Sequence, residues 1–157
     1  MKRMYWFFIV IVIVIVIVGA WWFRGKNAPM RQGELRVGSN TYKVEIADTI
    51  PLRTQGLSGR EKLEAGSGVF FIFSAPGKHP FWMKDMHFPL DFVWINGDTV
   101  VGTTENVAPS VPSESSLFSL PLYYSPEPAD KVLELNAGEV EKGKIKIGDR
   151  VELRTKN

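Results

Sequence analysis

Trp82, Lys84, Asp85 and Asp91 stand within one short stretch of the chain. An aromatic plate beside an ammonium and two carboxylates suits a sugar or peptide ligand. The ring stacks on an apolar face while the charged groups hydrogen-bond the edges. Arg60 and Glu134 join this candidate set for a different reason. Glu134 sits in the apolar run Val132-Leu133-Glu134-Leu135, and a carboxylate buried there needs a cationic partner, for which Arg60 and Lys84 are the choices. The plainer alternative is a surface cation–π and salt-bridge cluster that fixes strand register.

Two further constellations carry other chemistry. Met83, Met86 and His87 have an M-x-x-M-H spacing, with His79 and Met30 as possible additions. Thioether and imidazole groups suit a soft ion such as Cu(I), although methionines among aromatics also serve simply as packing. Asp85, Asp91 and Glu134 supply the carboxylates that an envelope hydrolase of glycosides would need as a pair. Gly56-Leu57-Ser58-Gly59 does not reproduce the G-x-S-x-G elbow of serine hydrolases. A non-enzymatic binding module is therefore the leading expectation, with no cofactor, and with copper binding or hydrolysis as alternatives.

The elements that would hold these residues are short strands. Val37, Tyr42, Val44 and Ile46 alternate with polar neighbours across Gly38-Ser39-Asn40, which predicts an opening hairpin. Thr49 or Asp48 caps a predicted short helix with Pro51 in its first turn and a stop at Gly56. Gly68 to Phe73, Phe81 to Lys84 and Asp91 to Ile95 read as strands, and Asn96-Gly97-Asp98 as a hairpin turn returning through Thr104. In the Phe81 to Lys84 run, alternation places Trp82 and Lys84 opposite Phe81 and Met83. Residues 108–129, rich in proline and serine, form a long irregular loop that suits a lid. Lys131 to Leu135 resumes strand alternation, residues 137–143 hold one helical turn, and two strands close the chain about Gly148-Asp149. The expected fold is mainly β: one antiparallel, barrel-like domain with one or two short helices.

Charge and hydropathy divide the 157 residues unevenly. Residues 5–23, YWFFIVIVIVIVIVGAWWF, carry no charge. As a helix they would rise ~28 Å, close to the ~30 Å hydrocarbon core of a bilayer. Their Ile/Val alternation suits a strand in water, but an isolated strand in lipid leaves its amides unpaired, so a helix is expected. Aromatic residues sit at both ends, as at membrane interfaces. Two tryptophans follow Gly19-Ala20, which argues for an uncleaved signal anchor rather than a cleaved peptide. The expected layout is a cytoplasmic tail at 1–4, a transmembrane helix at 5–23, a linker at 24–34 and an extracytoplasmic domain at 35–157. Localisation would be single-pass at the cell membrane, with the C-terminal domain outside.

The formal charge of +2 belongs to the ends of the apolar segment: residues 27–157 hold 15 basic and 17 acidic side chains. That balance excludes a broadly basic nucleic-acid face. The expected partners are the membrane through residues 5–23 and an envelope saccharide, peptide or protein. The absence of cysteine excludes disulfides, thiolate metal sites, thiol catalysis and a lipid-modified cysteine.

The order of several motifs resembles the domain of unknown function 192 family of small bacterial and archaeal proteins. They are Arg53…Gly56-Leu57…Arg60, Gly68-Val69-Phe70-Phe71-Ile72-Phe73, Phe81-Trp82-Met83-Lys84-Asp85, Pro89-Leu90-Asp91 and Val132-Leu133-Glu134-Leu135-Asn136-Ala137-Gly138…Gly148-Asp149. The resemblance covers roughly residues 41–154 and implies a single β-rich domain, often behind a signal peptide or anchor. This chain departs from the family pattern at Ser58-Gly59, where Met-Phe or Met-Tyr is usual, and at Asp85, where Asn is usual. The resemblance implies a fold and no activity.

Overall fold

The computed structural model describes residues 10–14, 29–110 and 120–155. Residues 10–14 form helix α1, with exposed side chains. The rest of the expected 5–23 span lies outside the described residues, as do residues 1–4, residues 24–28 and positions 111–119 of the proline-rich loop. No helix among the described residues is long and apolar enough to cross a membrane.

The opening hairpin joins β1 (Arg31–Val37) to β2 (Asn40–Ala47) through Gly38, whose φ of 58° suits a residue without Cβ. β1 starts four residues inside the stretch expected as a linker, because Gly33 to Val37 pair with Thr155 to Val151 as well as with β2. Helix α2 (Ile50–Gln55) is capped by Thr49, one of the two candidate caps, and as expected holds proline in its first turn and stops at Gly56. There follow β3 (Ser67–Gly77), β4 (Leu90–Asn96), β5 (Thr99–Val107), β6 (Ala129–Asn136), helix α3 (Glu139–Gly143) and β7 (Val151–Thr155).

The seven strands form one sheet in the order β5-β4-β6-β3-β2-β1-β7. This corrects the antiparallel barrel in two respects. β2 and β3 run parallel, because helix α2 and the turns after it carry the chain back across the sheet before β3 begins. The barrel is also not closed. β5 and β7 are the two edges and meet only at one corner, where Thr99 bridges Arg150. There Val100 N donates to Asp149 O (3.0 Å) and Val151 N to Asp98 O (2.8 Å).

Two further expectations change. Phe81 to Lys84 is a strap with a single bridge, Phe81 to Tyr123, because Pro80 precedes it and Asp85 turns at φ 54°. Lys144 to Ile147 is a loop rather than a strand. Lys144 ends α3 in the left-handed region, and the Asp149 carboxylate accepts the Lys146 amide at 3.0 Å.

Strand alternation gives each face of the sheet its own core. Leu35, Val44, Ile46, Phe70, Ile95 and Leu133 pack on one face. Val69, Phe71, Phe92, Trp94 and Val132 pack on the other, covered by Leu52, Leu57, the strap residues Phe81 and Met83, and Met86 just beyond the strap. Burying each large apolar side chain contributes about 1.5–3 kcal/mol. Gly68 lies where strands approach most closely. A Cβ there would stand 2.6 Å from Glu134 O and 2.9 Å from Leu133 Cδ1. Gly68→Ala should therefore cost about 2 kcal/mol or more by overpacking. Chemical denaturation would read this, and an unchanged midpoint would show that β6 yields freely.

Candidate functional site

The second face carries a cleft of about 240 Å³. One wall is α2 and the turn after it, with Ile50, Arg53 and Gly56 to Ser58; the other is Phe81 and Trp82 of the strap. Phe71, Phe73 and Met86 complete the apolar lining, and Glu134 opens into it from β6. The rings are interlocked: Phe81 meets Phe71 edge-on at 5.1 Å and Trp94 at 5.4 Å, and His79 stacks on Phe73 at 3.7 Å. Such aromatic pairs rigidify a wall beyond simple area burial. Arg53 is a fixed part of it. Its guanidinium donates to Asp48 O (2.7 Å) and Ile72 O (2.8 Å) and lies 5.0 Å from the Phe73 ring centre.

Glu134 is the chemically distinctive group. The register places Glu45, Val69, Glu134 and Phe92 in one row across β2, β3, β6 and β4. At ~4.8 Å per strand, the two glutamates stand roughly 10 Å apart. Arg60 answers Glu45 with a two-pronged pair, Nη1 to Oε1 at 2.6 Å and Nη2 to Oε2 at 2.8 Å. These hydrogen bonds hold the Glu45 carboxyl below its ordinary range and the guanidinium above its own. Glu134 receives only the Coulomb field of Arg60. Burial dominates and pushes its carboxyl up to about 8. No hydrogen bond from the described residues reaches that carboxyl, so at neutral pH it is chiefly a neutral acid with a proton to donate into the cleft.

The expected Trp82, Lys84, Asp85 and Asp91 constellation is not brought together. Trp82 lines the cleft, and exposure alternates through Trp82 and Lys84 as expected. Lys84 and Asp85 are exposed outside the lining, their carbonyls taking Ser58 Oγ (2.9 Å) and Gly59 N (2.8 Å). Asp91 is fully buried at the start of β4. Its carboxylate accepts the amides of Asn106 (2.8 Å) and Val140 (3.0 Å), a structural use that hydropathy alone does not reveal. Of Asp85, Asp91 and Glu134, only Glu134 lines the cleft. Met83, Met86 and Met30 are buried in the core around Phe81, whereas His87 is exposed. Among the described residues, no cluster of three or more histidines and carboxylates suits a metal ion. Reading the sequence missed Arg53, Phe71, Phe73 and Phe81 as site residues. The helix-stop pattern at Gly56 was the available signal, since it aims the end of α2 at β3.

Fold and cleft define a small mixed-β domain with an aromatic-walled site over one buried acid. The chain belongs to the DUF192 family (Uncharacterized ACR), which it matches over residues 33–153. No curated protein sequence matches it. Two solved structures are similar. One is a candidate transcription regulator from Sinorhizobium meliloti, 28% identical, with a TM-score of 0.71, covering 81% of this chain and 97% of that one. The other is a protein of unknown function from Novosphingobium aromaticivorans, 25% identical, with a TM-score of 0.68, covering 82% and 96%.

Proposed function

We propose that the protein is a membrane-tethered, extracytoplasmic binding module. In this reading residues 5–23 are the anchor, and the cleft between α2 and the strap receives one ring-sized group of a saccharide or, second, of a peptide. The observation that carries it is a buried carboxyl, unanswered by the described residues, in an aromatic-walled cleft. Its volume falls below the ~300–1,000 Å³ of pockets for drug-sized ligands and suits a single ring. The wall offers π-faces for an apolar surface, and Glu134 offers a proton to a hydroxyl or carbonyl oxygen. The regulator label of the Sinorhizobium protein finds no support in the acidic balance of residues 27–157.

The test is a thermal-shift series on the full chain in detergent, with envelope saccharides and peptides as ligands. A ligand at a hundred times its Kd stabilises the folded state by ~2.7 kcal/mol. A rise in Tm with a saccharide, lost in a folded Trp82→Ala variant, is the expected result. If no compound shifts the wild-type chain, the cleft is not a saccharide or peptide site.

A further inference from the structure

We propose that the apolar strap beside the cleft docks on the surface of the bilayer, so that the cleft opens at the membrane interface. This rests on the anchored reading above. The first support is the geometry of the strap. Phe81 and Tyr123 exchange backbone hydrogen bonds, Phe81 N to Tyr123 O at 3.0 Å and Tyr123 N to Phe81 O at 2.8 Å, and both rings pack on the core. Antiparallel pairing then sets Trp82 across from Leu122, and Pro80 across from Tyr124, with their side chains on the outer side. Trp82, Leu122 and Tyr124 are 39%, 47% and 48% exposed, and Ile50 on the opposite lip is 73% exposed. A tryptophan and a tyrosine beside aliphatic groups are the side chains that partition into the headgroup region.

The second support is where the tether arrives. Met30 is buried in the same core, and Arg31 Nη2 lies 2.5 Å from Asp48 Oδ2, two residues before Ile50. The chain therefore enters the domain beside the lip of the cleft. Eight steps separate residue 23 from Arg31, a reach of at most ~27 Å, so the tether keeps that lip close to the membrane. Charge does not oppose the contact. On the folded surface the exposed Lys78 and Lys84 are balanced by the exposed Asp85 and Glu127, and Arg24 and Lys26 of the tether add basic groups beside an interface that anionic lipid would make negative.

The chain has no cysteine, so single reporters are clean. Leu122→Cys, Ile50→Cys and Ile147→Cys full-length variants would each carry one environment-sensitive dye. They would be reconstituted in vesicles of phosphatidylcholine and phosphatidylglycerol whose acyl chains are brominated. Ile147, 69% exposed in the loop between α3 and β7, is the control. Quenching at positions 122 and 50 several-fold above that at 147 is the expected result. Equal quenching at all three, in chains that float with the vesicles, overturns the docking surface and leaves the anchor standing. Failure to float overturns the anchor and the docking surface with it. Neither result bears on ligand binding in detergent, which tests the cleft separately.

Discussion

Asp91→Ala should lower the stability of the domain by about 2–5 kcal/mol, since two backbone amides lose a charged acceptor at about 1–3 kcal/mol each. The carboxylate is fully buried and joins three elements. From the start of β4 it accepts the Asn106 amide near the end of β5, where the backbone turns at φ 55°, and the Val140 amide in the first turn of α3. Helix α3 needs that contact. Its own N-cap is Gly138, which has no side chain to offer, so Asp91 supplies from another strand the oxygen that Ser, Thr, Asp or Asn supplies locally in most helices. Alanine leaves the buried Val140 N–H and the part-buried Asn106 N–H without that acceptor. Asp91→Asn retains one acceptor and sets an NH₂ against the other amide, so its loss should be smaller. Urea denaturation of the full chain in detergent measures both. A loss below about 1 kcal/mol for alanine would mean that water substitutes freely for the carboxylate.

That pairing also shows what the sequence could and could not disclose. Locally encoded features were legible: a cap at Asp48 or Thr49 and the Gly56 stop of α2, the Gly97 turn between β4 and β5, and the short helix at Glu139–Gly143. Each depends on residues within a few positions of one another. The missed features depend on contacts far apart in the chain. Asp91 looked like a ligand-binding acid because its partners lie 15 and 49 residues away. The open, mixed sheet follows from the parallel step at α2 and from β7 pairing with β1 rather than completing the β5 edge. Phe81 to Lys84 kept its in-and-out alternation without becoming a strand, since a strap held at one bridge imposes the same pattern. Trp82 and Glu134 stand in the candidate set read from the sequence, and both line the cleft. Their shared cleft was not legible, because it depends on α2 folding back over β3.

Between about pH 4.5 and 8 the wild-type chain should lose stability as pH rises, and Glu134→Gln should remove most of that decline. The folded-state carboxyl titrates at about 8 against 4.5 for the ordinary group. Below 4.5 it is neutral in both states and contributes nothing to the pH dependence. Across the window the folded chain holds a proton that the unfolded chain has released, so raising pH favours unfolding. Above 8 the full penalty for a buried anion applies, on the order of 3–5 kcal/mol. Glutamine resembles the neutral acid in shape. The variant should therefore match the wild type near pH 4.5 and exceed it near pH 8, so that the two curves diverge upward with pH. Glu45, held below its ordinary range by Arg60, titrates beneath this window and does not shape it. Arg60→Leu gives an independent check: its field lowers the Glu134 midpoint, so its removal should carry the decline to higher pH. A flat wild-type curve from denaturant midpoints across the window would show that Glu134 is solvated or already ionised. In the binding role proposed above, the same proton would govern the cleft. A ligand oxygen held by the neutral acid should lose affinity as Glu134 ionises, so saccharide binding should weaken above pH 8 in the wild type and stay level in Glu134→Gln.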